Sequence, residues 1–497
     1  MTGNIADVRS LAVVGLGRSG LAAARLVRRE LPDAALVVID EKDESELGAA
    51  PAELRSAGAD VLLGAAATLP GDVELVVKSP GVPNASPVVA AALARGLAIW
   101  SEVELASRFL ANRWIAITGT NGKTTTTELT GQILRDAGVL VEVAGNVGRA
   151  LAGLPGEIDP DAVVVAELSS FQLEHIVAFR PDVAVLLNLT EDHIDRHGTF
   201  AGYVDAKLRI FENQGPADLA LLNVDDPGAT AAAAAGLPGS GRRGGFSVVA
   251  GAGDAAGAGD AAGAGDATTF GGVADTIGAT PLLAGVSHGA LWVQTAAGRE
   301  RLCAVADLAL KGEHNLANSL AAAVAAAAIG VPAADVAATL RTFAGVAHRL
   351  QVVGVVGGVT WVNDSKATNV DAALKALTAY SGPVHLILGG SLKGASFAPL
   401  AAATEGRVKE AILIGAAAEA LRDAFERRRA SAGEGATPYV VLPDLEAAVA
   451  HAAAVAAPGD VVLLSPACAS FDHYRNFEHR GEHFAELVAR LAKGRPA

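Results

Sequence analysis

Ile115-Ala-Ile-Thr-Gly-Thr-Asn-Gly-Lys-Thr124 decides how the rest of this chain is read. A short apolar run, a strand by composition, breaks into a Gly-rich turn carrying Lys123 and Thr124. Thr125 to Ala137 then reads as a helix. Strand, turn and helix in that order wrap backbone N–H groups around a polyphosphate and aim a helix N-terminus at it. Lys123 is placed to reach the β/γ-phosphates, and the Thr124 hydroxyl to ligate Mg²⁺. Position 117 is Ile where the general phosphate-loop pattern has Gly, so the turn is shorter than usual. The stretch points to ATP.

A chain of 497 residues is too long for one core, so several domains are expected. Hydrophobic residues make up 51% but aromatics only 4%, which leaves Ala, Val and Leu to fill the cores. The net charge of −15 argues against a nucleic-acid surface, which needs a basic footprint. Cys303 and Cys468 stand far apart with no CxxC, so neither a disulfide framework nor a zinc site is indicated. The first ten residues lack a basic segment followed by an apolar one, and the Ala-rich runs at 231–235 and 321–329 are too short to span a bilayer. A soluble cytoplasmic protein, a monomer without membrane spans, is the expectation.

Periodicity divides the chain into three α/β blocks. The first, 1–110, holds apolar runs at Leu11–Gly15, Ala35–Asp40, Asp60–Gly64 and Val73–Val77, with helices ending near Glu30 and Gly96. The second, 111–345, opens at the phosphate turn and continues with strands near Ala162–Glu167, Val183–Asn188 and Leu219–Val224, then a helix from about Asn315. The third, 346–497, alternates Val359–Asn363, Val384–Leu388, Ala411–Gly415 and Val461–Leu464 with helical stretches. Strands separated by helices predict parallel sheets: a Rossmann-like first domain, a P-loop-type ATPase domain and a Rossmann-like third domain. Ligands of such sheets sit beyond the carboxyl ends of the strands. One segment breaks the rhythm. Gly251-Ala-Gly-Asp-Ala-Ala repeats inside a Gly/Ala/Ser-rich stretch from about Ala231 to Gly285, with almost no large side chain to bury, and reads as a surface insertion.

The polar residues cluster at strand ends. Gly15-Leu-Gly-Arg-Ser-Gly20 follows the first strand, and Asp40 ends the second, where a dinucleotide fold places its ribose-binding acid. Any nucleotide pyrophosphate could use this turn, so a nicotinamide is not singled out. Glu167, in Glu167-Leu-Ser-Ser-Phe-Gln-Leu-Glu174, ends another strand beside the phosphate turn and suits Mg²⁺, a hard cation preferring oxygen. Thr190-Glu-Asp-His-Ile-Asp-Arg-His197 brings His193 to the same edge, and Lys207 lies 14 residues beyond it on a helical stretch. A lysine near a metal is useful only if neutralised or made anionic, for instance by carbamylation. In the third block, Asn363-Asp-Ser-Lys-Ala-Thr-Asn369, Leu388-Gly-Gly-Ser-Leu-Lys-Gly394 and Ser465-Pro-Ala-Cys-Ala-Ser470 follow successive strands. Their lysines and hydroxyls suit a small dianion such as an amino dicarboxylate. Cys468 reads as a packing residue.

Taken together, these segments resemble the Mur ligase family of peptidoglycan synthesis, and within it the D-glutamate-adding members. GTNGKT, ELSSFQLE, TEDHIDRH with Lys207, GEHNLAN at 312–318, His348-Arg349, NDSKATN and SPACASFDHYRNFEHRGEHF occur in the family's order over nearly the whole chain. The resemblance implies an ATP-dependent amide ligase that adds D-glutamate to UDP-N-acetylmuramoyl-L-alanine through an acyl phosphate, in the cytoplasm, for cell-wall growth and division. It implies that Gly119, Thr120, Asn121, Gly122, Lys123, Thr124 and Thr125 bind the ATP phosphates, and that Asn315, Asn318, Arg349 and Asp364 contact its nucleoside. Gly15, Arg18, Ser19, Asp40, Ser79, Asn146 and Ser169 would bind the UDP substrate. Lys366, Thr368, Lys393, Ser470 and Phe477 would position D-glutamate. Thr124, Glu167, His193 and a carbamylated Lys207 would serve magnesium.

Rival readings are a Mur enzyme adding a different amino acid, a folylpolyglutamate synthase, an NAD-dependent oxidoreductase built on the Gly15–Gly20 turn, and a non-catalytic scaffold. The N-terminal nucleotide turn disfavours the folate enzyme. The joint presence of Lys123, Thr124, Glu167 and His193 disfavours the scaffold.

Overall fold

Ser10–Val14 (β1) is buried along its whole length, as a strand covered on both faces must be, and its run of apolar residues follows from that. The structure, a computed structural model, describes residues 5–249, 282–343, 345–380, 382–392, 396–432 and 435–494. It divides into two compact units, Met1–Phe343 and Ala344–Ala497.

In the first unit, β1 is the middle of a parallel sheet with Ala35–Asp40 (β2), Asp60–Leu63 (β3), Leu75–Lys78 (β4) and Ala98–Ser101 (β5), in the order β3-β2-β1-β4-β5. The crossing helix Arg18–Glu30 buries Ala23, Ala24, Leu26 and Val27 and carries Arg28 and Arg29 at its C-terminal end, where positive charge is favoured. It packs close to the sheet because position 20 is glycine: a Cβ there would lie 1.7 Å from the Gly15 carbonyl oxygen.

The second sheet of this unit contains, among the described residues, Trp114–Thr118 (β6), Val141–Gly145 (β7), Val163–Glu167 (β8), Val183–Leu186 (β9), Leu219–Asn223 (β10), Arg242–Ser247 (β11), Leu282–Ser287 (β12), Ala290–Thr295 (β13) and Gly298–Ala304 (β14). Their order is β14-β13-β12-β11-β10-β9-β6-β8-β7. The helix Glu313–Ala328 lies against it, and Leu320 to Ala326 are buried without a break, so small side chains on every face let it pack deeply. No helix among the described residues is long and apolar enough to cross a membrane.

The second unit holds Gln351–Val356 (β15), Val359–Asn363 (β16), Val384–Gly389 (β17), Val408–Ile414 (β18), Tyr439–Val441 (β19) and Val461–Leu464 (β20), in the order β15-β16-β20-β17-β18-β19. The helix Phe477–Ala492 covers one face with Phe484, Leu487 and Val488, which are buried.

Three mainly parallel α/β sheets agree with the expectation. The departures lie at the edges: β12, β13 and β14 pair antiparallel, as do β15 and β16. Regular structure also enters both ends of the low-complexity stretch. The helix Pro227–Ala235 is capped by Asp226, and β11 pairs with β10 and buries Phe246. The six-residue repeats themselves lie outside the described residues.

Candidate active site

The phosphate turn is built on a neighbour-supported frame. Gly122, at φ 80°, closes the turn as the cap of the helix Lys123–Asp136, and a Cβ there would meet Asn318 Oδ1 at 2.3 Å. The turn is held open by groups outside it. Asn188 Oδ1 accepts from Asn121 N–H (2.8 Å), and Asn188 Nδ2 donates back to Asn121 O (3.2 Å). Thr120 Oγ1 lies 2.9 Å from the Tyr203 hydroxyl and accepts from Thr190 N–H (3.0 Å). Lys123 Nζ folds over the turn, donating to Gly119 O (2.8 Å) and Thr120 O (2.9 Å). Thr124 is buried beneath it, and Thr125 is half-buried on the next helical position.

Strand register brings the carboxylate alongside. Ile117 pairs with Glu167, so the ends of β6 and β8 lie level. Glu167 is buried; its Oε1 accepts from Asn146 Nδ2 (2.7 Å), while its Oε2 is buried with no hydrogen-bond donor. A carboxylate oxygen in that condition is costly unless a cation or a water completes it. Lys207 is also buried, with Nζ donating to Gly119 O (2.8 Å) and Thr118 Oγ1 (3.4 Å) and lying 4.8 Å over the Tyr203 ring. His193 stands more open, in the left-handed conformation (φ 53°) just before the one-turn helix Ile194–His197, with the Phe171 ring 4.9 Å away. Left-handed backbone at a non-glycine residue is a strain that surroundings must hold in place, and such strain collects at working sites. No group of three or more His, Cys, Asp or Glu side chains converges to hold a metal among the described residues. Magnesium does not require one, since it commonly takes one or two carboxylates with phosphate and water oxygens.

The N-terminal turn faces the same edge. Gly15 has φ 89°, and Ser79, buried, donates from its hydroxyl to Gly15 O (2.7 Å). The two oxygens of Asp40 tie two turns together: Oδ2 accepts from Leu16 N–H (2.5 Å) in the Gly15–Gly20 turn, and Oδ1 from Lys42 N–H (2.9 Å) in its own. Arg18 reaches the second sheet, donating to Gly148 O (2.9 Å), Gly145 O and Asn146 O (both 3.4 Å). Ser19 is half-buried beside it, and Ser169 caps the short helix Ser170–Leu173 in a reciprocal pair with Gln172. Asn318 accepts from Thr126 Oγ1 (3.3 Å) and donates to Asn315 Oδ1 (3.2 Å), so both asparagines flank the phosphate turn.

In the second unit the polar loops sit at the carboxyl ends of β16, β17 and β20. Asp364 accepts from Ser465 Oγ (2.8 Å) and Leu350 N–H (3.2 Å), and burial pushes its carboxyl up to about 6. Arg349 is exposed between two residues with left-handed backbone, His348 (φ 61°) and Leu350 (φ 44°). Lys366 and Thr368 are partly buried, Ser470 is buried, and Phe477 opens the final helix with its ring edge-on to His348. Lys393 lies outside the described residues.

Arg480, to which the sequence motifs give no role, joins these loops. It is buried on the inner face of the last helix. Nε donates to Ser365 Oγ (2.9 Å), and Nη2 to Ser365 O (2.9 Å) and Cys468 O (3.1 Å). Nη1 donates to Gly389 O and Ala469 O (both 3.3 Å). Burial draws its guanidinium down to about 10. The signal was a lone arginine among the apolar positions of an amphipathic helix. Tyr203 was legible in the same way, one helical turn before Lys207. Asn188 had no comparable signal.

Three family models match the chain in order. They are "Mur ligase MurD-like, N-terminal domain" over residues 9–101, "Mur ligase middle domain" over 117–250, and "Mur ligase, glutamate ligase domain" over 348–468. A UDP-N-acetylmuramoylalanine--D-glutamate ligase from Pelotomaculum thermopropionicum is 40% identical, the match covering 98% of each chain. One from Geotalea uraniireducens is 42% identical with the same coverage. The crystal structure of a murein peptide ligase from Psychrobacter arcticus aligns over 97% of this chain and 99% of that one, at 18% identity and a TM-score of 0.49.

Proposed function

The chain belongs to the Mur ligase family, and we propose that it joins D-glutamate to UDP-N-acetylmuramoyl-L-alanine at the expense of ATP. The observation that carries this reading is the level register of the strand leading into the phosphate turn with the strand that ends at Glu167, within a chain alike over nearly its full length to D-glutamate ligases.

A carboxylate is a poor electrophile, so the alanyl carboxylate first takes the γ-phosphoryl group and becomes an acyl phosphate. Charge on the transferring group must be neutralised. Lys123 is positioned for that, because the carbonyls it now contacts belong to the turn that would receive the phosphates. Glu167, with its undonated oxygen, His193 and Thr124 are the residues that would hold magnesium, which supplies further neutralisation of phosphate charge. Lys207, if carbamylated, would present an anion at the same place; its burial against Thr118 and Gly119 supports that role. Asn146 orients Glu167 and sits beside the carbonyls that Arg18 contacts, which suits a residue placed between sugar nucleotide and metal. The Gly15–Gly20 turn, with Asp40 and Ser79, takes the uridine diphosphate portion of that substrate.

D-Glutamate is read as the ligand of the second unit, held through Lys366, Thr368, Lys393, Ser470 and Phe477. Its amine attacks the acyl carbon as the free base, and the tetrahedral species collapses with loss of phosphate. Asn315, Asn318, Arg349 and Asp364 would face the ATP nucleoside. The domain limits 1–110, 111–345 and 346–497 follow from this division of labour. A monomeric enzyme in the cytoplasm, where UDP-linked precursors are made, completes the reading, and the free buried thiols of Cys303 and Cys468 are in keeping with it.

Lys123→Ala tests the assignment. Phosphoryl transfer is expected to fall below detection while the sugar nucleotide still binds with nearly wild-type affinity by calorimetry. Equal loss of both would contradict a lysine that serves the ATP phosphates alone.

A further inference from the structure

The helix Ile194–His197 is a single turn, and four residues cannot hold an orientation through their own hydrogen bonds. The placement of His193 at its start must come from side chains that reach out of it. Two such side chains are His197, whose Nε2 lies 2.9 Å from Ser170 Oγ, and Arg196. Arg196 Nη2 donates to Val82 O (3.3 Å) and Pro80 O (3.4 Å), and its Nη1 to Gly81 O (3.5 Å). The same guanidinium lies 4.4 Å over the Phe171 ring. Phe171 in turn contacts His193 at 4.9 Å and stacks with His197 at 5.3 Å.

The segment Arg196 grips is fastened from below as well. Lys78 Nζ, buried, donates to Val82 O (3.0 Å) and to Glu174 Oε2 (3.5 Å), and Glu174 Oε1 lies 3.4 Å from His197 Nδ1. Ser79, inside the same segment, is the residue bonded to Gly15. The diphosphate turn of the first sheet and the His193 turn of the second are therefore two ends of one short chain of contacts: Gly15, Ser79, the carbonyls of 80–82, Arg196, Phe171, His193.

We propose that Arg196 is a positioning residue that couples the sugar-nucleotide turn to His193, so that filling one site orders the other. This rests on the functional reading above. The three contacts to 80–82 are long and individually weak, but one planar guanidinium spans all three carbonyls and stacks on a ring at the same time. A lysine ammonium, a compact charge on a flexible stem, cannot do both. Coupling between two binding sites is reciprocal: magnesium with a non-hydrolysable ATP analogue tightens the sugar nucleotide, and the sugar nucleotide tightens them.

Calorimetric titration of full-length enzyme with UDP-N-acetylmuramoyl-L-alanine, with and without magnesium and that analogue, reads the coupling without turnover. The wild type is expected to bind on the order of 10-fold more tightly with both present. Arg196→Met is expected to bind weakly and equally in the two conditions, and Arg196→Lys to behave likewise. Arg196→Gln, which keeps an N–H donor pair at the site, gives the same reading should the methionine variant fail to fold. A wild-type affinity indifferent to magnesium and analogue, or variants that keep the wild-type difference, would overturn the proposal. A wild type that does not bind this sugar nucleotide at all would overturn the functional reading instead.

Discussion

Glu102 offers the sharpest physical test. It opens the short helix Glu102–Ser107 that leads from β5 toward the second sheet, and its side chain is fully buried. Oε1 accepts from Ala152 N–H (2.7 Å), while Oε2 has no hydrogen-bond partner. Burial raises its carboxyl from 4.5 to about 7, against the opposing pull of the Ala152 N–H, the Arg18 guanidinium and the Gln172 side chain. A carboxyl whose folded pKa is raised favours the fold while protonated. That contribution is fully present below the unfolded pKa and is lost as pH climbs through the folded one. A tenfold difference in proton affinity between folded and unfolded chains is worth about 1.4 kcal/mol, so moving from about pH 5 to about pH 8 removes roughly 2.5 kcal/mol. Glu102→Gln keeps shape and an acceptor for Ala152 but cannot ionise. Urea unfolding of both proteins at the two pH values, followed by the fluorescence of Trp100 and Trp114, measures the difference. The variant is expected to gain roughly 2.5 kcal/mol on the wild type between pH 5 and pH 8. A constant offset between the two proteins at both pH values would refute the reasoning.

Two further outcomes follow from the same geometry. Lys207→Ala is expected to lose most activity, to gain nothing from added bicarbonate, and to recover in part with a small carboxylic acid such as formate; absence of rescue at any concentration in a phosphate-release assay would count against the carbamate. Arg480→Lys is expected to raise the KM for D-glutamate on the order of 10-fold while that for the sugar nucleotide stays put, because an ammonium cannot reach Ser365, Gly389 and Cys468 together, and to cost roughly 3 kcal/mol in thermal unfolding.

Much of this molecule is legible in its sequence alone. The helix starting after the phosphate turn, β2 and β20 fall where periodicity places them, because buried parallel strands are near-continuous apolar runs and helices carry their own spacing. The antiparallel strands β12–β14 and β15 are not legible in that way. They are edge or near-edge strands, and an edge strand such as β15, with Val352 and Val355 exposed, carries no clean alternation to read. Candidate site residues at strand ends, such as Glu167, the last residue of β8, and Asp364, just after β16, are visible because a strand's carboxyl end is a position the pattern defines. Residues that support the site from elsewhere are not. Asn188 acts through its amide on the backbone of Asn121 and leaves no local signature, whereas Arg480 shows only as a lone arginine among apolar helix positions, which marks the residue but not the distant loops it joins.

The central claim is that ATP cleavage at the 119–124 turn drives condensation of a sugar-nucleotide carboxylate with D-glutamate. Phosphate release by the purified full-length protein, with ATP, magnesium and UDP-N-acetylmuramoyl-L-alanine present, tests it most directly. Release is expected on adding D-glutamate and not on adding L-glutamate or another amino acid. No release with D-glutamate, or equal release with either enantiomer, would contradict the account.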